Sequence, residues 1–125
     1  MPESKFSDKL MASPFDVNKK FLQNYHDNVL ETNRSGKDGD KTVTMRIVGI
    51  GIEGKEYLLP SYDPDTQEIM NTDQIYDKFK ADIDAGRVVG YPDWSLAEQD
   101  REKMYPEIIG NSLKRSFSSY IFDGT

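Results

Sequence analysis

The stretch GIGIEGKEYLLPSYDPDTQEIMNTDQ, residues 49–74, decides the fold. It is either a catalytic or metal-binding loop, or a pair of hairpins feeding a helix, and its spacing favours the second reading. Val48, Ile50 and Ile52 alternate before Glu53-Gly54, where glycine supplies the positive φ that a two-residue hairpin turn demands. Residues 55–61 then return as a second strand. Asp63-Pro64-Asp65 forms the next turn, because aspartate caps its own backbone and proline presets φ, and Glu68, Ile69 and Met70 follow as a short third strand. Asn71 and Gln74 have capping-box spacing, Ile75, Phe79 and Ile83 make one helical ridge, and Gly86 stands in the C′ position that ends the helix. Gly54, Asp63, Pro64 and Gly86 are therefore structural turn residues.

Upstream, Val43, Met45 and Ile47 alternate on the opposite parity, so the pattern switches near Ile47-Val48 and predicts a bulge or a strand buried on both faces. Residues 32–41, rich in Gly, Asp, Asn and Ser, read as a linker or long turn. Before it, Phe15, Leu22, Tyr25 and Val29 share one face of an amphipathic helix, with Phe21 on its flank and Ser13-Pro14 at its start. Residues 1–14, without lasting periodicity, read as an arm or a leader to this helix. After Gly86, Val88 and Val89 make a brief extended piece, and Ser95 and Glu98 begin a helix that Pro106 is expected to stop. The tail NSLKRSFSSYIFDGT, residues 111–125, shows no clear periodicity and carries Phe117, Tyr120, Ile121 and Phe122 among serines.

These elements predict an α+β fold: a small antiparallel hairpin or meander packed with two to three helices, plus extended terminal segments. Three parts follow along the chain: an arm and amphipathic helix (1–37), an α+β module (38–106) and an aromatic tail (107–125).

Composition narrows the chemistry. The 125 residues contain no cysteine, which removes disulfides, thiolate catalysis and Cys-ligated zinc or iron–sulfur centres. A formal charge of -6 disfavours nonspecific binding to nucleic acid, which depends on Lys and Arg displacing counterions, and Lys114-Arg115 is too small a basic patch to reverse that. No run approaches the roughly 20 apolar residues that span a bilayer, and MPESKFSDKL lacks a signal-peptide core, so no membrane partner is expected.

Candidate sites in the sequence are weak. Asp63, Asp65 and Glu68 invite a calcium reading, but Thr66 and Gln67 take the following positions, proline interrupts the loop and no glycine appears. Gly49, Gly51 and Gly54 lie within and between strands rather than ahead of a helix, unlike a phosphate cradle. His26, the only histidine, falls beside the apolar stripe and reads as a packing or surface residue. Tyr91 and Trp94 beside Pro92 read as an aromatic plug between helices, with stacking on a sugar or peptide as the alternative. No catalytic residue, cofactor or metal is expected.

The order of motifs from residue 38 onward resembles a small module of tailed-bacteriophage virion and internal polyproteins. The matched positions are Gly51-Ile52-Glu53-Gly54-Lys55-Glu56, Leu58-Leu59-Pro60-Ser61, residues 71–74 and residues 86–90, similar to a GIDGKE-x-LIPT, SDDEAI and G-x-x-LG pattern. Pro92 and Trp94 depart from it, and neither the first helix nor the aromatic tail belongs to it. The resemblance implies a non-enzymatic virion or virion-associated structural protein, found in the particle and in the host cytoplasm during assembly. Its expected partners are other virion proteins or further copies of itself, met through Phe15, Phe21, Leu22, Phe117, Tyr120, Ile121 and Phe122. The alternatives are an accessory glycan- or peptide-binding module of a cell-wall-degrading assembly, and a small phage-encoded inhibitor of a host protein.

Overall fold

The computed structural model describes residues 13–39 and 41–124, with residues 38, 41 and 112–124 described as backbone only. Its elements run α1 (Pro14–Glu31), β1 (Gly36–Asp38), β2 (Lys41–Val43), β3 (Ile47–Ile52), β4 (Lys55–Pro60), β5 (Tyr62–Asp63), β6 (Glu68–Ile69), α2 (Thr72–Asp84) and α3 (Trp94–Gly124). The strands form three antiparallel two-stranded hairpins, β1–β2, β3–β4 and β5–β6, so the fold is α+β as expected.

The β3–β4 hairpin is the centre of the molecule because both its faces are covered. Its turn places Glu53 at φ 50° and Gly54 at φ 80°, the pair of positive angles that suits a tight two-residue connection, and this sets Ile52 opposite Lys55 and Gly49 opposite Leu58. Successive residues then face opposite ways. On one face Ile47 and Leu58 pack with Met45, with Leu22 of α1 and with Ala97, Met104 and Ile108 of α3. On the other, Ile50 and Leu59 pack with Ile75 and Phe79 of α2 and with Val88. Helix α1 reaches both layers: Phe21 and Tyr25 meet the Phe79 ring edge-on, with centroids 5.8 and 5.7 Å away.

The break in strand parity comes at Arg46, slightly ahead of the predicted position. Arg46 takes φ 49°, and the turn is held by Ser61, whose N–H donates to the Met45 and Arg46 carbonyls at 2.8 and 3.0 Å and whose hydroxyl donates to Arg46 at 2.7 Å. Pro60 sits opposite Ile47 next to this turn.

The expected linker over 32–41 is partly ordered. Gly36 pairs with Val43 and Lys37 with Thr42, closing the β1–β2 hairpin around Gly39. The order comes from outside the segment: the Tyr62 ring covers Gly36, where a Cβ would lie 2.6 Å from Cε1, and the Tyr62 hydroxyl donates to the Arg34 carbonyl at 2.6 Å.

Helix α2 has both halves of its capping box: Asn71 Oδ1 accepts from the Gln74 N–H at 2.9 Å, and Gln74 Oε1 accepts from the Asn71 N–H at 2.8 Å. It ends at Gly86 (φ 77°), with the Gly86 N–H donating to Ile83 and the Arg87 N–H to Asp82, a Schellman closure. The same closure ends α1 with Asn33 (φ 54°) in the left-handed position, a role that asparagine fills less often than glycine.

Helix α3 departs from expectation at both ends. Asp93, not Ser95, caps it, accepting from the Leu96 N–H at 3.0 Å, while Glu98 pairs with Arg101. It then passes through Pro106 and continues to Gly124, so the segment read as an aperiodic tail is helical in its backbone. Proline deprives the Glu102 carbonyl of its helical donor, but Met104 and Ile108 are fully buried on either side of it, and that packing outweighs the lost bond.

Candidate functional site

The carboxylate-rich turn is the first candidate. Asp63 accepts from the Asp65 N–H at 2.9 Å and from the Gln67 N–H through its carbonyl at 2.7 Å, with Gln67 at φ 58°. The side chains then diverge: Asp65 pairs with Arg34, and Asp63 lies 3.7 Å from Lys78. A groove of about 380 Å³ between this hairpin and α2 is lined by Asp63, Glu68, Met70, Gln74, Asp77 and Lys78. Among the described residues no three acidic or histidine side chains converge as metal ligands would. Through ion pairs the turn ties the segment after α1 and helix α2 to β5.

The polar interior is the second candidate. Asn18 is fully buried, and its amide grips one residue of the opposite loop: Nδ2 donates to the Val89 carbonyl and Oδ1 accepts from the Val89 N–H, both at 2.9 Å. His26 is also buried, with Nδ1 2.6 Å from Thr44 Oγ1, which places it in packing between α1 and the β2–β3 connection. Tyr25 donates to the Tyr62 carbonyl at 2.6 Å; burial, then the nearby Asp63 and Asp65, raises its ionisation well above the usual phenol range. Tyr91 donates to Asp100 at 2.7 Å, and burial followed by that bond raises its ionisation similarly. No buried side-chain polar atom among the described residues lacks a hydrogen-bond partner.

The sequence alone does not single out Asn18. The one signal it offers is a polar residue four positions before Leu22 on the apolar stripe, where only a satisfied amide is tolerated.

The aromatic pair Tyr91 and Trp94 is separated by the fold. Tyr91 is 4% exposed and takes the plug position, and its backbone exchanges two hydrogen bonds with Glu56, at 2.9 and 2.7 Å, against the edge of β4. Trp94, expected as part of that plug, is 64% exposed at the start of α3. Leu96 and Tyr105 are also exposed on α3.

Of the expected contact residues, Leu22 is fully buried within this chain's own core, and Phe15 and Phe21 are half-buried against it. That stripe is engaged internally. The side chains of Phe117, Tyr120, Ile121 and Phe122 lie outside the described residues. Among the described residues no helix is long and apolar enough to cross a membrane. No protein-family model matches the chain, and neither curated proteins nor solved structures include a significant match to it.

Proposed function

We propose that this is a non-enzymatic contact protein of a tailed-phage particle, acting through α3. The observation that carries the contact role is the apolar surface of that helix: Trp94, Leu96 and Tyr105 are exposed. The helix runs on from Ile108, the last buried residue among those whose side chains are described, through a sequence containing Phe117, Tyr120, Ile121 and Phe122. At 1.5 Å per residue its 31 residues span about 46 Å, longer than the described core requires. Side chains that carry chemistry elsewhere are engaged in structural bonds here, His26 with Thr44, Tyr91 with Asp100, Asp65 with Arg34 and Asp63 with Lys78. The particle itself is inferred from the resemblance over residues 51–61, 71–74 and 86–90, and partners and location follow from it: other virion proteins or further copies, in the virion and in the host cytoplasm during assembly.

Deleting residues 113–125 tests this reading. The melting temperature of the isolated protein should change little, because the described core ends at Ile108, while incorporation into particles, measured by mass spectrometry of purified virions, should be lost. An unfolded truncate, or particles that retain it, would overturn the assignment of α3. The exposure of Trp94 favours a second reading, glycan or peptide stacking, although burial of Tyr91 leaves only one ring for it. Trp94→Ser should leave binding to purified cell-wall material unchanged under the first reading and weaken it under the second.

A further inference from the structure

We propose that the outer edge of β3 accepts an extended peptide carrying a basic side chain, added as a third strand and held by Glu56. The inference concerns a different surface from α3 and does not depend on the particle assignment.

The direction of the backbone groups follows from the register. The N–H and C=O of Glu56 both bond to Tyr91, so they point away from β3. Glu56 is paired with Gly51, and in an antiparallel ladder the residues of such a pair both turn their polar groups outward. Alternation gives the same outward direction to Gly49, opposite Leu58, and to Ile47, opposite Pro60, whose missing N–H costs the ladder nothing there. Three outward sets of donors and acceptors therefore line the free side of β3. Gly49 and Gly51 are exposed, and their outward groups have no bonding partner among the described residues. Such an edge is a template for strand addition.

The charge beside it selects the occupant. A Cβ at Gly49 would lie 2.7 Å from Glu56 Oε2, and one at Gly51 3.5 Å from Oε1, so the carboxylate lies over Gly49, in space a side chain there would share, and in van der Waals reach of Gly51. Glu56 has no cationic partner among the described residues. A lysine or arginine on the same face of an added strand reaches it. The opposite face presents Val48, Ile50 and Ile52, which suits apolar side chains at the alternate peptide positions. A second copy of this chain paired antiparallel through the same edge would instead bring together two Glu56 carboxylates, each reaching from β4 over its own β3, a like-charge arrangement that argues against it.

The test titrates isotope-labelled full-length protein with acetyl-VTVKVTV-amide, in which the lysine shares a face with the threonines, and follows backbone amide resonances. The amides of Gly49 and Gly51 should shift and gain protection from hydrogen exchange. Replacing the peptide lysine by glutamate, or Glu56→Gln in the protein, should weaken binding at least two- to fivefold, the range for a partly exposed ion pair. Gly51→Pro removes an outward donor without removing a ladder bond, so it should abolish binding while the melting temperature shows whether the hairpin is retained. Absence of shifts at Gly49 and Gly51 up to millimolar peptide would overturn the proposal. So would equal binding of the lysine and glutamate peptides, or concentration-dependent shifts at these glycines without peptide, which would mean self-pairing.

Discussion

The β3–β4 and β5–β6 hairpins sit next to each other in the chain, and they are held in opposite ways. Six residue pairs join β3 and β4, and apolar layers cover both faces; two pairs join β5 and β6, where Ile69 is exposed and the ends are fixed by ion pairs to Arg34 and Lys78. The first lies between two apolar layers, whereas of the four residues of the second only Tyr62 is buried and β6 is exposed beside screened ion pairs, so equal-sized insults to β4 and to β6 should have unequal effects.

The sharpest form of that contrast is a matched truncation. Leu59→Ala, which empties a fully buried site, should cost about 2–5 kcal/mol in denaturant unfolding, whereas Ile69→Ala should stay within about 0.5 kcal/mol. Comparable losses at the two sites would erase the distinction. At the turn, Gly54→Val forces a β-branched residue to φ 80° and should cost roughly 1–3 kcal/mol, read from the same unfolding curves. An unchanged midpoint there would mean the hairpin does not depend on its turn. The smallest effect belongs to Asp65→Ala, which removes an exposed partner of Arg34 and should shift stability by about 0–1 kcal/mol, less at high salt. A larger loss would promote the acidic turn from an edge feature to part of the core.

What was legible in the sequence was local. The Glu53-Gly54 turn, the Asn71–Gln74 capping box and the Gly86 stop each depend on residues within a few positions of one another, and each occurs where the pattern puts it. What was hidden depends on distant partners. The stretch 32–41 reads as a linker because its own residues bury nothing, yet Tyr62 orders part of it from across the molecule. Pro106 reads as a stop because propensity counts the lost bond and not the burial of Met104 and Ile108 around it. Trp94 and Tyr91 look alike in sequence, and Tyr91 is held inward by partners outside the motif, its bridge to Glu56 and its bond to Asp100. The open edge of β3 was invisible for the same reason, since it depends on which side of β4 Tyr91 occupies.

The Asn18 amide clamp has a kinetic consequence. It closes a loop of 71 residues, whereas the β3–β4 turn and the α2 caps close loops of only a few. Loop-closure entropy therefore orders the steps: hairpin and α2 contacts form early, and α1 docks onto Val89 only after the intervening chain is in place. Asn18→Ala, which leaves the part-buried N–H and C=O of Val89 without this partner, should act mainly on the unfolding limb of a chevron plot and leave the folding limb nearly unmoved. The Asn18–Val89 contact is thus the last of these to close, and its loss should shorten the lifetime of the native state while Leu22, Tyr25 and His26 still hold α1.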